Sequence, residues 1–112
     1  MRRLFVPLCS APYEDFKLHG KRWEVRALAR QYTPRNLVEG REAELRKGYS
    51  GESLHGRVGR VECGTLEEIF SRIPLKEIEP RASSVRDAID EDRELLGEHP
   101  LYVAFEVLLD RD

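Results

Sequence analysis

A chain of 112 residues is long enough for one domain with a single core and short for two. Its formal net charge of −2 argues against bulk attraction to nucleic acid, although 36% of its residues are charged and a local basic patch remains open. Two cysteines, Cys9 and Cys63, are too few for a disulfide framework and fit buried free thiols in a reducing compartment.

Arg3 to Leu8 reads as a first strand, ended by Pro7 and Pro12. Met1-Arg2-Arg3 leads into only a short apolar run, and no run approaches transmembrane length. The expected location is the cytoplasm, with no membrane partner. Pro12 suits the first turn of a helix capped by Ser10, with Tyr13, Phe16 and Lys17 at helical spacing. His19-Gly20 is a stop signal. Residues 22–30 then alternate as a strand.

Pro34 to Gly40 reads as a turn or short helix closed by glycine, and Arg41 to Lys47 alternates as a strand. Gly48 to Ser53 is a polar glycine loop. Gly56 to Cys63 is a further strand, with Gly59 marking a bulge or a close backbone approach. Thr65 and Glu68 form a capping box for a helix whose apolar face is Leu66, Ile69, Phe70 and Ile73. Pro74 and Pro80 bracket a short connection. Ser83 or Ser84 opens another helix, with Val85, Ala88, Ile89, Asp92 and Leu95-Leu96 on one side and Gly97 at its end. Leu101 to Leu109 is the last strand, with Leu101, Val103, Phe105, Val107 and Leu109 facing inward. One domain over 1–112 is expected, α+β, a compact barrel of about five or six strands with short helices.

The most informative stretch is His19-Gly20-Lys21-Arg22-Trp23-Glu24-Val25-Arg26. Strand alternation places Arg22, Glu24 and Arg26 on one face and Trp23, Val25, Ala27 and Ala29 on the other. The second face reads as core. The first presents a carboxylate between two guanidiniums, with Lys21 at the strand entrance. Such a group can fix a glutamate as an anion or present cations to a phosphate. Residues 17–60 hold most of the lysine and arginine, and residues 62–98 are rich in carboxylates, which suggests a dipolar domain with one face for an anionic ligand.

These residues resemble the ASCH domain family, relatives of the RNA-binding PUA fold. The family pattern is Gly-x-Lys-x-x-Glu-x-Arg, and Lys21, Glu24 and Arg26 keep its charged spacing. His19 takes the glycine position, and Gly20 sits one residue late. The resemblance extends to Leu37-Val38-Glu39-Gly40, the later strands and the helices, so it spans nearly the whole chain. It implies a small PUA-like β-barrel with a cleft beside the motif, binding RNA, a nucleotide or a nucleoside. Some members resemble amidohydrolases that remove an acyl group from a modified cytidine, and some are linked to RNA cleavage. In the amidohydrolase type a lysine at the Lys21 position is the catalytic candidate, a polar residue stands at the Glu24 position, and a helix glutamate assists. Glu24 replaces the hydroxyl residue of that type, and Glu77, Glu79 and Glu91 are all open for the assisting role.

Lys21 could act as nucleophile or base only with a lowered pKa, which neighbouring arginines favour and Glu24 opposes. Glu24 between two arginines is a poor base and a better orienting group. Trp23 has core parity. Tyr49 and Ser50, in the glycine loop, are placed to meet a ligand. His19, His55 and His99 lack metal-ligand spacing, so neither a metal nor a cofactor is expected. The expected function is binding of RNA or a nucleotide in a basic cleft by Lys21, Arg22, Glu24, Arg26, Tyr49 and Ser50. The alternative is a small hydrolase of a modified nucleoside or of RNA, with Lys21 and Glu24 catalytic. Oligomeric state is left open.

Overall fold

A computed structural model describes residues 1–111. In chain order it contains β1 (Leu4–Leu8), α1 (Ser10–Leu18), β2 (Trp23–Ala27), β3 (Glu42–Lys47), β4 (Ser53–Gly64), α2 (Leu66–Arg72), α3 (Leu75–Ile78), α4 (Val85–Leu96) and β5 (Tyr102–Leu109). The strands form one curled sheet in the order β1-β3-β4-β5-β2. β1 runs parallel to β3, and the other pairs are antiparallel. β1 and β2 are therefore the two edges, and the barrel stays open between them. Among the described residues no helix is long and apolar enough to cross a membrane.

Local chemistry accounts for most boundaries. Thr65 accepts from the backbone N–H of Glu68, and the Glu68 carboxylate accepts from the Thr65 N–H, which completes the expected capping box. Ser84 rather than Ser83 caps α4, accepting from the Asp87 N–H. Ser10 is not the cap of α1: Cys9 occupies that position, with no side-chain hydrogen bond, and Ser10 is already helical. β2 ends at Ala27, short of the expected residue 30. The chain reverses there, with Arg30 at φ 57° and Ala29 bridged to Tyr32. This turn carries Tyr32 back over the sheet, where its ring stacks on Phe105 at 5.7 Å.

Gly59 combines both features expected of it. The β4–β5 register shifts between Val58 and Val61, and a Cβ on Gly59 would lie 2.6 Å from the Glu106 carboxylate. The long β4 spans both halves of the sheet because of this bulge. It begins at Ser53, three residues earlier than expected.

The expectation of one barrel interior containing Trp23, Val25, Val103, Phe105 and Val107 is corrected. Those residues are all buried, but in two cores on opposite faces of the sheet. The register shows why. Trp23 pairs with Glu106 and Val25 with Ala104, whereas Glu24 pairs with Phe105 and Arg26 with Val103. Cross-strand partners share a face. The inner core therefore holds Val6, Tyr13, Phe16, Leu45, Val103, Phe105 and Val107, with α1 packed on it. The outer core joins Trp23, Val25, Tyr102 and Ala104 to α2 and α4 through Leu66, Ile69, Phe70, Ala88 and Ile89. Leu101 precedes β5 and is exposed, not inward-facing.

Trp23, 1% exposed, anchors the outer core. Its emission should be blue-shifted and protected from acrylamide quenching. Trp23→Ala should cost about 3–5 kcal/mol in denaturant unfolding, the range for removing a buried aromatic.

Candidate functional site

The open seam between β1 and β2 contains a cleft of about 270 Å³. Pro7, Leu8 and Cys9 form one wall, and Lys21, Glu24, Val25 and Arg26 form the other. Glu79, Asp92, Leu95 and Leu96 cover it from α4 and the end of α3. Lys21, Glu24 and Arg26 of the charged motif therefore meet in one cavity.

The corner before β2 aims Lys21 into it. Gly20 adopts φ +79°, a left-handed conformation that glycine accommodates without strain. The Lys21 N–H donates to Asp15 O (3.1 Å) and the Arg22 N–H to Glu77 O (2.7 Å), which pins the corner to α1 and α3. The Lys21 ammonium is buried. It donates to Ile78 O at 2.5 Å, lies 3.5 Å from Glu24 Oε1, and sits 5.3 Å from the centre of the Phe16 ring.

Arg26 is placed by four contacts. Its Nε donates to Glu24 Oε2 (2.8 Å), Nη1 to the Tyr32 hydroxyl (3.1 Å) and Nη2 to Pro7 O (2.9 Å). The guanidinium also lies 4.9 Å from the centre of the Tyr32 ring. Burial opposes its charge, but the carboxylate of Glu24 and the Tyr32 hydroxyl outweigh that and hold it above the ordinary guanidinium value. Glu24 thus bridges Lys21 and Arg26.

Two carboxyl groups in the cleft were not singled out as site residues. Burial pushes Glu79 upward; Lys21 opposes this, and Glu24 and Glu91 add to it. Burial, then the negative charge of Glu79, pushes Asp92 up to about 8, with Lys21 pulling the other way. Of the three glutamates open for an assisting role, Glu79 is the one lining the cleft. Asp92 carried a faint signal, an acid on the apolar side of the α4 pattern.

Three placements differ from expectation. Arg22 precedes the strand and turns away from the cleft; its guanidinium donates to Glu106 Oε2 at 3.0 Å. Tyr49 is 79% exposed and Ser50 is also exposed, and neither lines the cleft. The Tyr49 ring instead lies 6.3 Å from Phe5. The cleft is also not predominantly basic, because two cations there face three carboxyl groups. Other basic side chains of residues 17–60 are taken up elsewhere: Lys17 by Glu52 (2.9 Å), Lys47 by Glu14 (3.2 Å) and Arg46 by Glu44.

Asp92 links the cleft to folding. Its folded-state pKa, about 8, lies above the ordinary value of 3.8. The protonated group's contribution is fully present below about pH 4 and is lost as pH rises through about 8. Thermal stability should therefore decline between those limits. Asp92→Asn, which cannot ionise, should flatten much of that slope. A pH series of melting curves on both proteins checks this.

No family model matches the sequence, and no curated protein matches it. Solved structures do. The hypothetical protein PH0355 superposes with a TM-score of 0.81 at 17% identity, over 97% of this chain and all of its own. The solution structure of PF0455 from Pyrococcus furiosus gives 0.73 at 20% identity, over 99% of this chain and all of its own. A variant of the ASCH protein from Zymomonas mobilis gives 0.69 at 14% identity, over all of this chain and 70% of its own. A half-open barrel of five strands with four short helices, superposing on these proteins along its whole length, gives this chain the fold of an ASCH domain.

Proposed function

We propose that the chain binds a nucleotide unit, free or within single-stranded RNA, by inserting its base into the cleft between β1 and β2. The observation that carries this reading is the convergence of Lys21, Glu24, Glu79 and Asp92 on one small, partly apolar cavity. Base edges offer alternating donors and acceptors, and unstacked bases are read by mixed polar groups of this kind. The Lys21 ammonium has three N–H groups. Ile78 O and Glu24 engage two, and the third has no protein partner among the described residues. Pro7, Leu8 and Leu96 supply apolar contact for the base faces. The ASCH fold supports the same class of ligand through the family resemblance.

The charge balance refines the reading. With three carboxyl groups facing two cations, the cavity favours an uncharged base over a phosphate. Phosphates of an RNA strand would lie outside it, near exposed side chains such as Arg22, which is half exposed while paired with Glu106.

A second reading, hydrolysis of a modified nucleoside or of RNA, draws on the upward-shifted Glu79 and Asp92 beside Lys21. Such groups exchange protons near neutrality. Glu24 stands where the amidohydrolase type has a hydroxyl residue, so this second reading would route proton transfer through Lys21 and these two carboxyl groups.

Titration of free nucleosides and of a short single-stranded RNA tests the binding. Lys21→Ala should weaken both by about tenfold or more, equivalent to about 1.4 kcal/mol. Arg22→Glu should weaken only the RNA, by a smaller factor that shrinks as salt rises. Absence of saturable binding at low salt by a folded wild-type protein would remove the proposal. Wild-type turnover of an acylated cytidine or of RNA, lost in Lys21→Ala, would move the chain to the second reading.

A further inference from the structure

Part of the outer face of the sheet carries no helix. The outer core draws its strand residues from β2 and β5, so the outer side of β1, β3 and the first part of β4 stays uncovered by it. The register puts Phe5, Glu44 and His55 in one row across that face, and Pro7, Arg46 and Ser53 in the next. Phe5 is half-buried there, and Tyr49, on the turn after β3, is 79% exposed. Their rings lie 6.3 Å apart at 41°. Aromatic rings left at the surface forgo the gain of burial, and exposed apolar groups rimmed by polar residues mark interaction sites.

The cations around the rings decide the kind of partner. The Arg46 guanidinium lies 5.4 Å from the centre of the Phe5 ring. It is paired with Glu44, which is only 4% exposed, and it donates from Nε to Ser53 Oγ (3.0 Å) and from Nη1 to Tyr49 O (3.3 Å). Arg3 reaches the other oxygen of Glu44 at 3.1 Å. Two guanidiniums thus share one buried carboxylate, and the cluster stays cationic. Farther along the face Arg57 is met by Glu42 at 3.7 Å, so the unbalanced positive charge lies beside the rings. Aromatic rings interleaved with guanidiniums suit the bases and phosphates of a single strand. A protein strand added to β1 fits poorly. Arg26 already occupies Pro7 O, Gln31 occupies Phe5 O, and Pro7 has no N–H to offer.

The patch adjoins the cleft. Pro7 belongs to both: it lines the cavity, and it stands two residues from Phe5 on the outer face. Two strand residues span about 7 Å, within one nucleotide step of an extended single strand. We propose that Phe5 and Tyr49 form a second subsite that stacks the base next to the one in the cleft, while Arg46 and Arg3 meet the phosphate between them. This rests on the nucleotide reading and extends it from one nucleotide unit to a single strand of RNA. Tyr49 then contacts the ligand outside the cavity and not within it.

The test uses the intact protein with adenosine, cytidine and the pentaribonucleotide of each. Nucleoside affinity reports the cleft, and the further gain of the pentamer reports the second subsite. The wild-type protein should bind the better pentamer about tenfold or more above its nucleoside. Tyr49→Ala should weaken the pentamer about fivefold or more, the lower end for a stacked base, and leave the nucleoside unchanged. Tyr49→Phe keeps the ring and should bind as the wild type does. A pentamer with a base only at its centre should bind the wild type and Tyr49→Ala alike. Arg3→Gln should reduce the salt slope of pentamer binding by about 0.7, the share of one phosphate contact on a single strand. Circular dichroism and Trp23 emission verify that each variant is folded, and the gain of the full pentamer over the base-stripped one needs no variant at all. A pentamer no tighter than its nucleoside, or indifferent to Tyr49→Ala, overturns the subsite while leaving the cleft reading intact. Failure of nucleosides and pentamers alike overturns both. Self-association of the free protein in sedimentation, abolished by Tyr49→Ala, would assign the patch to a second copy of the chain and overturn the proposal.

Discussion

The fold turns on one guanidinium. A sheet that curls without closing leaves two edges, each with unpaired backbone groups. Here the edges are β1 and β2, and Arg26 joins them by donating to Pro7 O. Gln31 adds a second tie, from its side-chain amide to Phe5 O at 3.1 Å. Arginine suits this work because its planar fork sends donors in several fixed directions at once. Lysine could reach the Pro7 carbonyl but could not also hold Glu24 and the Tyr32 hydroxyl. A guanidinium mostly withdrawn from water requires an anion, and Glu24 supplies it. Glu24 in turn accommodates Lys21, which ends on Ile78 O. A continuous polar chain therefore crosses from β1 to the α3 segment. It lines the cleft, so the same residues hold the seam and shape the site.

The element order was legible in the sequence because local chemistry marks it. The Thr65–Glu68 capping box, the Gly20 corner, Gly59 in β4 and Gly97 after α4 each mark a boundary or irregularity where the structure has one. The resemblance to ASCH domains held at the level of the fold, resting on three charged residues and their place in that order. The burial pattern was less legible. Alternation separates two faces but does not say that one is wet. Here α1 packs on one face and α2 and α4 on the other, so Glu24 is as buried as Val25, its neighbour on the opposite face. Polarity on one side of β2 therefore marked an internal network and not an exposed binding face.

Long-range pairing explains the remaining differences. Arg22 finds Glu106, eighty-four positions away, and Lys47 finds Glu14. Counting cations along residues 17–60 could not reveal that the carboxylates neutralising some of them lie outside that stretch. Asp92 was hidden for the same reason, and Glu79 could not be told from Glu77 and Glu91. Neither Asp92 nor Glu79 lies near the motif in sequence, and they reach it only because α3 and α4 fold over the open seam. Tyr49 and Ser50 show the opposite case, a loop with suitable composition whose side chains remain outside the cleft.

The network is closed on one side and open on the other. Each nitrogen of the Arg26 guanidinium has a partner, and Glu24 lies between two cations, so this side is electrostatically balanced. Across the cavity, Glu79 and Asp92 share too little positive charge. Complete satisfaction would give a more stable protein with nothing left to offer a ligand. An uncompensated group costs stability wherever it is buried, so its retention in the wall of a cavity ties that cost to binding. The balanced side fixes the geometry into which a base must fit, and the uncompensated side sets the charge that the base meets there.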